Sequence, residues 1–296
     1  MTLDSPAVAR TLARDAWEPL ALAHAERADA MTAGHRARAG RRERHAIEDF
    51  LFEYYSTKAS HLARWHPGPG IGLENADAHA GWRFYRTEAG VTRVDVEAFL
   101  EARGSTVDYV EALLTRTAAR PASFGCFGLH EWAMVYRMHE DDLRHPLPLR
   151  LGSEGTDAVV ESHPIRCTHF DAFRFFTPEA RPLNATQPTR ETQPAMEQPG
   201  CLHGNMDLYK WAMKLAPAIP SSLTLDAFAL AMGVRQVDMQ ASPYDVSSYG
   251  LEAIAIETPE GKREYAARQR EFAERGAVLR ERILAAISAL RASAPA

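Results

Sequence analysis

The sequence contains few cysteines and no long apolar run. Three cysteines in 296 residues are too few for a disulfide-stabilised scaffold, and their odd number favours a reducing compartment. No apolar run approaches the roughly 20 residues that are needed to cross a bilayer. The first 20 residues carry scattered charges and lack the apolar centre of a secretory signal. We therefore expect a cytoplasmic protein with no membrane partner.

Common nucleotide-binding and catalytic motifs are also absent. The sequence contains no Gly-x-Gly-x-x-Gly, no Gly-x-x-x-x-Gly-Lys-Ser/Thr, no Gly-x-Ser-x-Gly and no His-Glu-x-x-His. The net charge of −5 disfavours a dedicated nucleic-acid binder, because such proteins usually present a basic face to phosphates. The arginine-rich stretch 35–45 is an exception, which we interpret either as a solvated connector or as a phosphate-binding segment.

Helical periodicity dominates the remaining pattern. The C-terminal segment is the clearest case, since Leu279, Ile283 and Ile287 fall on one helix face while arginine and glutamate fill the other. Residues 81–96 instead predict a β-hairpin. No linker clearly divides the chain. We predict a single, mainly α domain over residues 1–296, with a small β-hairpin and short-strand element.

Three further segments complete the predicted fold. The proline-rich segment 177–200 has no regular apolar period and predicts a long loop within the domain. Residues 147–151 and 165–169 predict two additional short strands.

Two of the three cysteines belong to Cys-x-His units. If the first unit lies on a strand, Cys167 and His169 project from the same face. In the second unit, Cys201 and His203 lie at the start of a predicted helix, on which His203 and Asp207 share a face. A thiolate and an imidazole that project together can bind Zn²⁺ or form a nucleophile–base pair.

These units allow three interpretations. Both units could bind one metal ion, with Cys167, His169, Cys201 and His203 as ligands of Zn or Fe, although the spacing is not that of a zinc finger. Alternatively, His169 and His203 could act with carboxylates while the cysteines are only buried. The third interpretation is a core that contains hydrogen-bonded histidines and small apolar thiols. No cofactor is certain on this basis.

Other polar groups lie in apolar segments. Glu53 is part of such a run, where a buried carboxylate needs a partner. His130 and Glu131 are adjacent on a predicted helix and point about 100° apart, so we expect only one of them to face a given site. Tyr244 and Asp245 belong to a polar loop that either binds a ligand or caps a turn. For each of them the alternative is a structural, hydrogen-bonded group.

Three long segments carry a resemblance to a known family. They are "HAIEDFLFEYYS" with the following "LARWHPGPG", "HPIRCTHFDAFRFFTPEARPLN" and "GCLHGNMDLYKWAMKL". Together they resemble bacterial proteins of similar length that are identified as 3-methyladenine DNA glycosylases, and the resemblance covers most of the chain.

The resemblance implies a DNA-repair hydrolase that cleaves the N-glycosidic bond of an alkylated nucleobase. Such an enzyme would extrude the base from alkylated DNA and stack it on aromatic side chains. Tyr244 and Asp245 are additional binding candidates. The stacking candidates are Trp65, Trp132, Tyr136 and Trp211. The candidate catalytic groups are Glu53, His130, Glu131, Asp171 and Asp207.

Two other functions fit the same residues. A metal-dependent hydrolase or oxygenase acting on a small molecule would combine these carboxylates with some of the histidines. The histidines available for it are His61, His66, His130, His169 and His203. A helical scaffold that binds a partner protein is the third alternative, and it leaves the polar groups in apolar segments unexplained.

Overall fold

The computed structural model describes residues 10–143 and 145–294, and helices predominate in this part of the chain. The first six are α1 (Arg14–Arg41), α2 (Phe50–Tyr54), α3 (Ala59–Leu62), α4 (Asp77–Ala80), α5 (Val96–Ala118) and α6 (Leu129–Ala133). The next six are α7 (Gly152–Ser162), α8 (Phe170–Phe173), α9 (Gln193–Met196), α10 (Leu202–Leu215), α11 (Ser221–Gln240) and α12 (Pro259–Ala292). The prediction of a mainly α fold with a small β element is confirmed.

The β element is a four-stranded sheet. Its strands are β1 (Arg10–Leu12), β2 (Ile71–Glu74), β3 (Tyr85–Glu88) and β4 (Val91–Val94). Their order is β1-β2-β4-β3, in which β1 and β2 are parallel and the other two pairs are antiparallel. Strands β3 and β4 form the predicted hairpin, and both turn residues, Ala89 and Gly90, have positive φ angles, as a two-residue type I′ turn requires.

The two other predicted strands, 147–151 and 165–169, are not formed. Within the described residues each makes one isolated bridge, to Tyr244 and to Asn184 respectively. The Asn184 side chain takes the place of a strand partner: its Oδ1 accepts from the Cys167 amide at 2.8 Å, and its Nδ2 donates to the Cys167 carbonyl at 2.9 Å. A side chain thus satisfies backbone groups that a β-ladder would otherwise pair.

The proline-rich segment 177–200 is irregular over most of its length and is fixed to the domain at its C-terminal end. It contains α9 and a 3₁₀ turn at Arg181–Leu183. Arg120 donates to the Glu197 carbonyl at 2.9 Å, and Gln198 Oε1 accepts from the Ser123 amide at 2.8 Å. These bonds hold the buried Glu197 side chain in the interior.

Helices α10, α11 and α12 form the centre of the main apolar core, which extends from Ala28 in α1 to Leu290 in α12. Residues on several sides of α10, including Met206, Leu208 and Ala212, are completely buried, as expected for a helix surrounded by protein. No helix in the described ranges is long and apolar enough to span a membrane.

A glycine allows α12 to approach α10 closely. A Cβ atom at Gly276 would overlap Oδ1 of Asn205. Asn205 cannot readily move away, because its Nδ2 donates to the Cys201 carbonyl at 3.0 Å and its Oδ1 accepts from Arg280 at 3.0 Å. The contact therefore fixes the start of α10, the helix that carries His203 and Asp207.

Candidate functional site

Ionisable side chains are concentrated in the interior, where α6, α8, α10 and α11 meet the end of the proline-rich segment. Five carboxylates there are between 0% and 6% exposed. They are Glu131, Asp171, Glu197, Asp207 and Asp238. A buried carboxylate needs hydrogen bonds and a compensating charge, so the neighbours of these five groups decide what the site can do.

The first group of side chains joins two histidines to two carboxylates. One ligand atom from each of His130, Glu131, His203 and Asp238 lies within 4.8 Å of the others, and all four residues are buried. His130 Nε2 is 2.9 Å from Asp238 Oδ1. His203 Nε2 is 4.0 Å from Asp238 Oδ2. Two imidazoles and two carboxylates are a ligand set that suits Zn, Fe or Mn.

The second group contains His169, Glu197 and Asp207, also with one ligand atom each within 4.8 Å of the others. The two ring nitrogens of His169 both face carboxylates: Nδ1 is 3.0 Å from Glu197 Oε1, and Nε2 is 3.4 Å from Asp207 Oδ2. Neither contact has hydrogen-bond geometry, but a carboxylate on each side of the ring favours the imidazolium form.

His203 lies between the other two histidines. Its ring centroid is 4.5 Å from that of His130 and 5.6 Å from that of His169, and the latter pair is stacked. The three rings therefore connect the two groups into one continuous polar region.

The three histidines differ in charge. Burial alone would lower the pKa of His130, but Asp238 and Cys126 raise it well above the ordinary value. Burial likewise opposes the charge on His169, whereas Glu197 and Asp207 raise its pKa to about 9. Burial and the neighbouring His130 lower the pKa of His203 to about 3. At neutral pH His203 is thus a neutral imidazole between two imidazolium groups.

Two basic side chains contact the carboxylates directly. Arg235 Nη1 lies 3.2 Å from Asp238 Oδ2 and 3.4 Å from Glu131 Oε1. Lys210 contacts both Asp171 and Asp207. Burial would raise the pKa of Asp207, but Lys210 and His169 lower it far below its usual range. Asp207 is therefore ionised at neutral pH.

Cys126, the one cysteine outside the Cys-x-His units, also belongs to the site. Its Sγ lies 3.3 Å from His130 Nδ1, on the opposite side of the ring from Asp238. A thiol, an imidazole and a carboxylate in this order have the connectivity of a nucleophile, a base and an orienting group. Cys126 is half-buried, whereas Cys167 is 3% exposed.

Two small cavities lie against this region. One, of about 20 Å³, is lined by Glu131, His145, Asp171, His203, Arg235 and Tyr244 together with apolar side chains. The other, of about 10 Å³, is lined by all three cysteines and by His130, His169 and His203. A single water molecule needs roughly 10–15 Å³. The first cavity can therefore hold one water molecule or ion.

Several predicted residues come together at this site. Tyr244 and Asp171 line the larger cavity beside His203. The expectation that only one of His130 and Glu131 would face a given site is wrong, because both belong to the first group. Helix α6 is only five residues long, and the two side chains converge on Arg235 and Asp238 from adjacent positions.

The predicted cysteine ligands do not share a metal position with the histidines. Neither group of potential ligands in the described part of the chain includes a cysteine. The Cys167 thiol donates to the His169 carbonyl at 3.6 Å, and burial raises its pKa well above the ordinary value. Burial also raises the pKa of Cys201. His169 and His203 belong to different groups, because His203 lies with His130 and the first group of carboxylates, whereas His169 lies with Glu197 and Asp207.

Other predicted residues lie elsewhere or have structural partners. Glu53 is exposed, because it points away from the core although its neighbours Leu51 and Phe52 are buried. Trp65 stacks on Trp17 beside the sheet, with centroids 6.3 Å apart. Asp245 accepts from the Ser247 amide at 2.9 Å. Of the two predicted roles for this loop, ligand binding and turn capping, this hydrogen bond corresponds to turn capping.

The remaining aromatic candidates are mostly part of the core. Trp132 donates to the Ala241 carbonyl at 2.8 Å, and Tyr136 donates to Glu161 at 2.8 Å. Trp211 contacts a cation of the site, since the Lys210 ammonium group lies 4.2 Å from its ring centroid. These rings do not form a common stacking pocket.

Sequence reasoning missed five residues of the site: Cys126, Glu197, Lys210, Arg235 and Asp238. A signal existed for two of them, since Arg235 and Asp238 are charged residues three positions apart in a mainly apolar helix. Both side chains are buried. Glu197 gave no signal, because it lies in a proline-rich segment without periodicity.

No family model, curated protein or solved structure matches the chain.

Proposed function

We propose that the protein is a metal-dependent hydrolase that acts on a small polar molecule. His130, His203, Glu131 and Asp238 would hold a single divalent transition-metal ion. The observation that carries the proposal is the state of His203: it is neutral, makes no hydrogen bond among the described residues, and its buried Nδ1 has no partner. A neutral, unbonded imidazole beside buried carboxylates is what a metal ligand requires.

The cavity next to His203 supports hydrolysis as the reaction. A metal ion in the first group would lie beside a space for one water molecule, and a bound metal lowers the pKa of its water enough to make hydroxide available near neutral pH. Arg235 and Tyr244, which also line the cavity, would contact the polar groups of a substrate. Asp171 would remain fixed by Lys210 and Arg190.

The N-glycosidic cleavage implied by the family resemblance is one hydrolysis of this kind. A nucleobase is several times larger than one water molecule, so alkylated DNA could react only if α2 and the segment around Tyr244 separated to widen the cavity. A small substrate requires less widening of the cavity. We therefore propose a small polar molecule, and not alkylated DNA, as the substrate.

The Cys126–His130–Asp238 contacts favour a second candidate, a thiol-dependent hydrolase. Here Cys126 would attack the substrate carbon as a thiolate, and His130 would hold the proton that the thiol releases and pass it to the leaving group. Water would then cleave the bond between sulfur and carbon, which releases the product and restores the thiol. The two candidates place opposite demands on His130, which must be deprotonated to bind a metal ion and protonated to pair with a thiolate.

Elemental analysis combined with thiol alkylation separates the two candidates. Protein purified without added metal should contain close to one transition-metal ion per chain, and His203→Ala should lose it. His163→Ala is the matched control, because His163 bonds Val159 and Ser162 outside the site. Absence of metal in the folded wild type, together with rapid alkylation of Cys126, would support the thiol-dependent reaction instead. Cooperative thermal unfolding of each variant verifies that it is folded.

A further inference from the structure

A second, larger cleft lies between α3, the segment 82–84 that leads into β3, α5 and the junction of α10 with α11. Its volume is about 240 Å³, which is more than ten times that of the cavity beside His203. The lining includes three arginines and two histidines, and none of the described residues that line it is acidic. We propose that this cleft binds the phosphate group of a small ligand.

The three arginines, Arg64, Arg83 and Arg103, come from separate elements. Within residues 10–143 and 145–294, none of them forms an ion pair with a carboxylate, whereas Arg190 and Arg235 at the central site do. The Arg64 guanidinium lies 5.4 Å from the Trp82 ring centroid, and that of Arg83 lies 4.4 Å from the Phe84 centroid. Stacking on a ring orients a guanidinium and leaves its N–H groups available for an anion.

The surroundings of the cleft histidines agree with a positive local potential. Burial and the charges of Arg64 and Lys58 lower the pKa of His61. His66 Nδ1 lies 3.0 Å from the Tyr85 hydroxyl, and burial lowers the pKa of His66 to about 3. His66 is therefore neutral, and the arginines supply the positive charge.

A buried hydroxyl group supplies an independent indication of a ligand. Thr224, in the first turns of α11, lines the cleft and is 5% exposed, yet its Oγ1 has no hydrogen-bond partner. Buried hydroxyls are normally satisfied. A phosphate oxygen held by the arginines would accept its hydrogen bond.

The size and lining of the cleft indicate what else the ligand contains. Leu62, Phe84 and Met213 provide apolar surface beside the arginines. The volume is slightly below the range of about 300–1,000 Å³ that is common for drug-sized ligands. Three guanidinium groups match a phosphate dianion better than a single carboxylate, because phosphate has more acceptor oxygens. The ligand class that fits is a phosphate monoester of roughly mononucleotide size.

Calorimetric titration with three probes tests this proposal. Adenosine 5′-monophosphate should bind the full-length protein, while adenosine, which lacks only the phosphate, should bind at least about tenfold more weakly. A single-stranded oligonucleotide distinguishes the source of the phosphate. Tighter binding of the oligonucleotide than of the monophosphate would overturn the small-ligand proposal in favour of a nucleic-acid backbone.

Variants locate the binding to the cleft. Arg83→Gln, Arg103→Gln and Thr224→Val should each weaken monophosphate binding, by about tenfold for either arginine. Arg268→Gln is the control, because Arg268 is exposed on α12 away from the cleft and should leave the affinity unchanged. Equal affinity of all variants, equal affinity for adenosine, or no binding by the folded wild type would each overturn the proposal.

Discussion

The ammonium group of Lys210 lies 2.9 Å from Oδ2 of Asp171, and the same group contacts Asp207 one turn earlier on α10. One cation thus bridges two buried carboxylates that come from different parts of the chain. Burial would lower the pKa of Lys210, but the two carboxylates raise it. The two contacts of Lys210 join α8 to α10, and they fix the position of Asp207, the carboxylate that faces His169.

Removing this cation should destabilise the protein strongly. Lys210→Met leaves Asp171 and Asp207 buried with one compensating charge fewer, and breaking a buried ion pair in this way costs about 3–5 kcal/mol. Urea unfolding measures the loss. Lys214→Met is the matched control, because Lys214 is exposed on the same helix. Equal unfolding free energies for the two variants would show that Lys210 does not have this role.

The close approach of α12 to α10 predicts opposite effects for two glycine substitutions. Gly276→Ala would force a methyl group against Asn205 and should destabilise the protein by about 1–3 kcal/mol. Gly104→Ala in α5 meets nothing within 4 Å, and it should stabilise the protein by up to about 1 kcal/mol because alanine favours a helix. Thermal unfolding of both variants measures the difference. A stabilised Gly276→Ala protein would contradict the packing described for α10 and α12.

Asp49 should make the free energy of unfolding depend on pH in the acidic range. It accepts from Arg38 and His35 of α1 at 2.8 and 2.9 Å. Burial would raise its pKa, but these two partners lower it. A carboxyl group with a lowered folded-state pKa contributes fully above its unfolded value of about 3.9, and the contribution disappears as the pH falls through the folded value.

The variant Asp49→Asn measures this contribution. It should be about 1.5–3 kcal/mol less stable than the wild type near neutral pH, since hydrogen bonds to a charged group are lost. The difference should stay constant from about pH 7 to about pH 5 and should shrink as the pH falls from about 5 to about 2. A difference that stays constant over this range would mean that the ionisation of Asp49 is not linked to folding.

The sequence predicts the helical architecture because it depends on local periodicity, as α12 illustrates with Leu279, Ile283 and Ile287 on one buried face. It predicts the hairpin for the same reason, since Ala89-Gly90 is a local turn signal. The strand expected at 165–169 fails because a distant side chain, that of Asn184, bonds the backbone there. The alternation of side chains within 165–169 does not identify a hydrogen-bonding side chain elsewhere in the chain.

The site is predictable only in part, because its charges are paired over long sequence distances. His130 and Asp238 are 108 residues apart, and nothing near either residue identifies the other. The Cys-x-His units directed attention to His169 and His203, which do lie in the site. The same units suggested cysteine ligands, whereas the histidines use Glu131, Glu197, Asp207 and Asp238 as neighbours.

The location of a bound metal ion is the most direct test of the central claim. Anomalous diffraction from crystals of metal-loaded protein should give one peak within about 2.0–2.3 Å of nitrogen or oxygen atoms of His130, His203 and Asp238. A peak bound instead by Cys167 or Cys201, or a loaded protein whose metal lies only on the surface while His130 still contacts Cys126, would contradict the account.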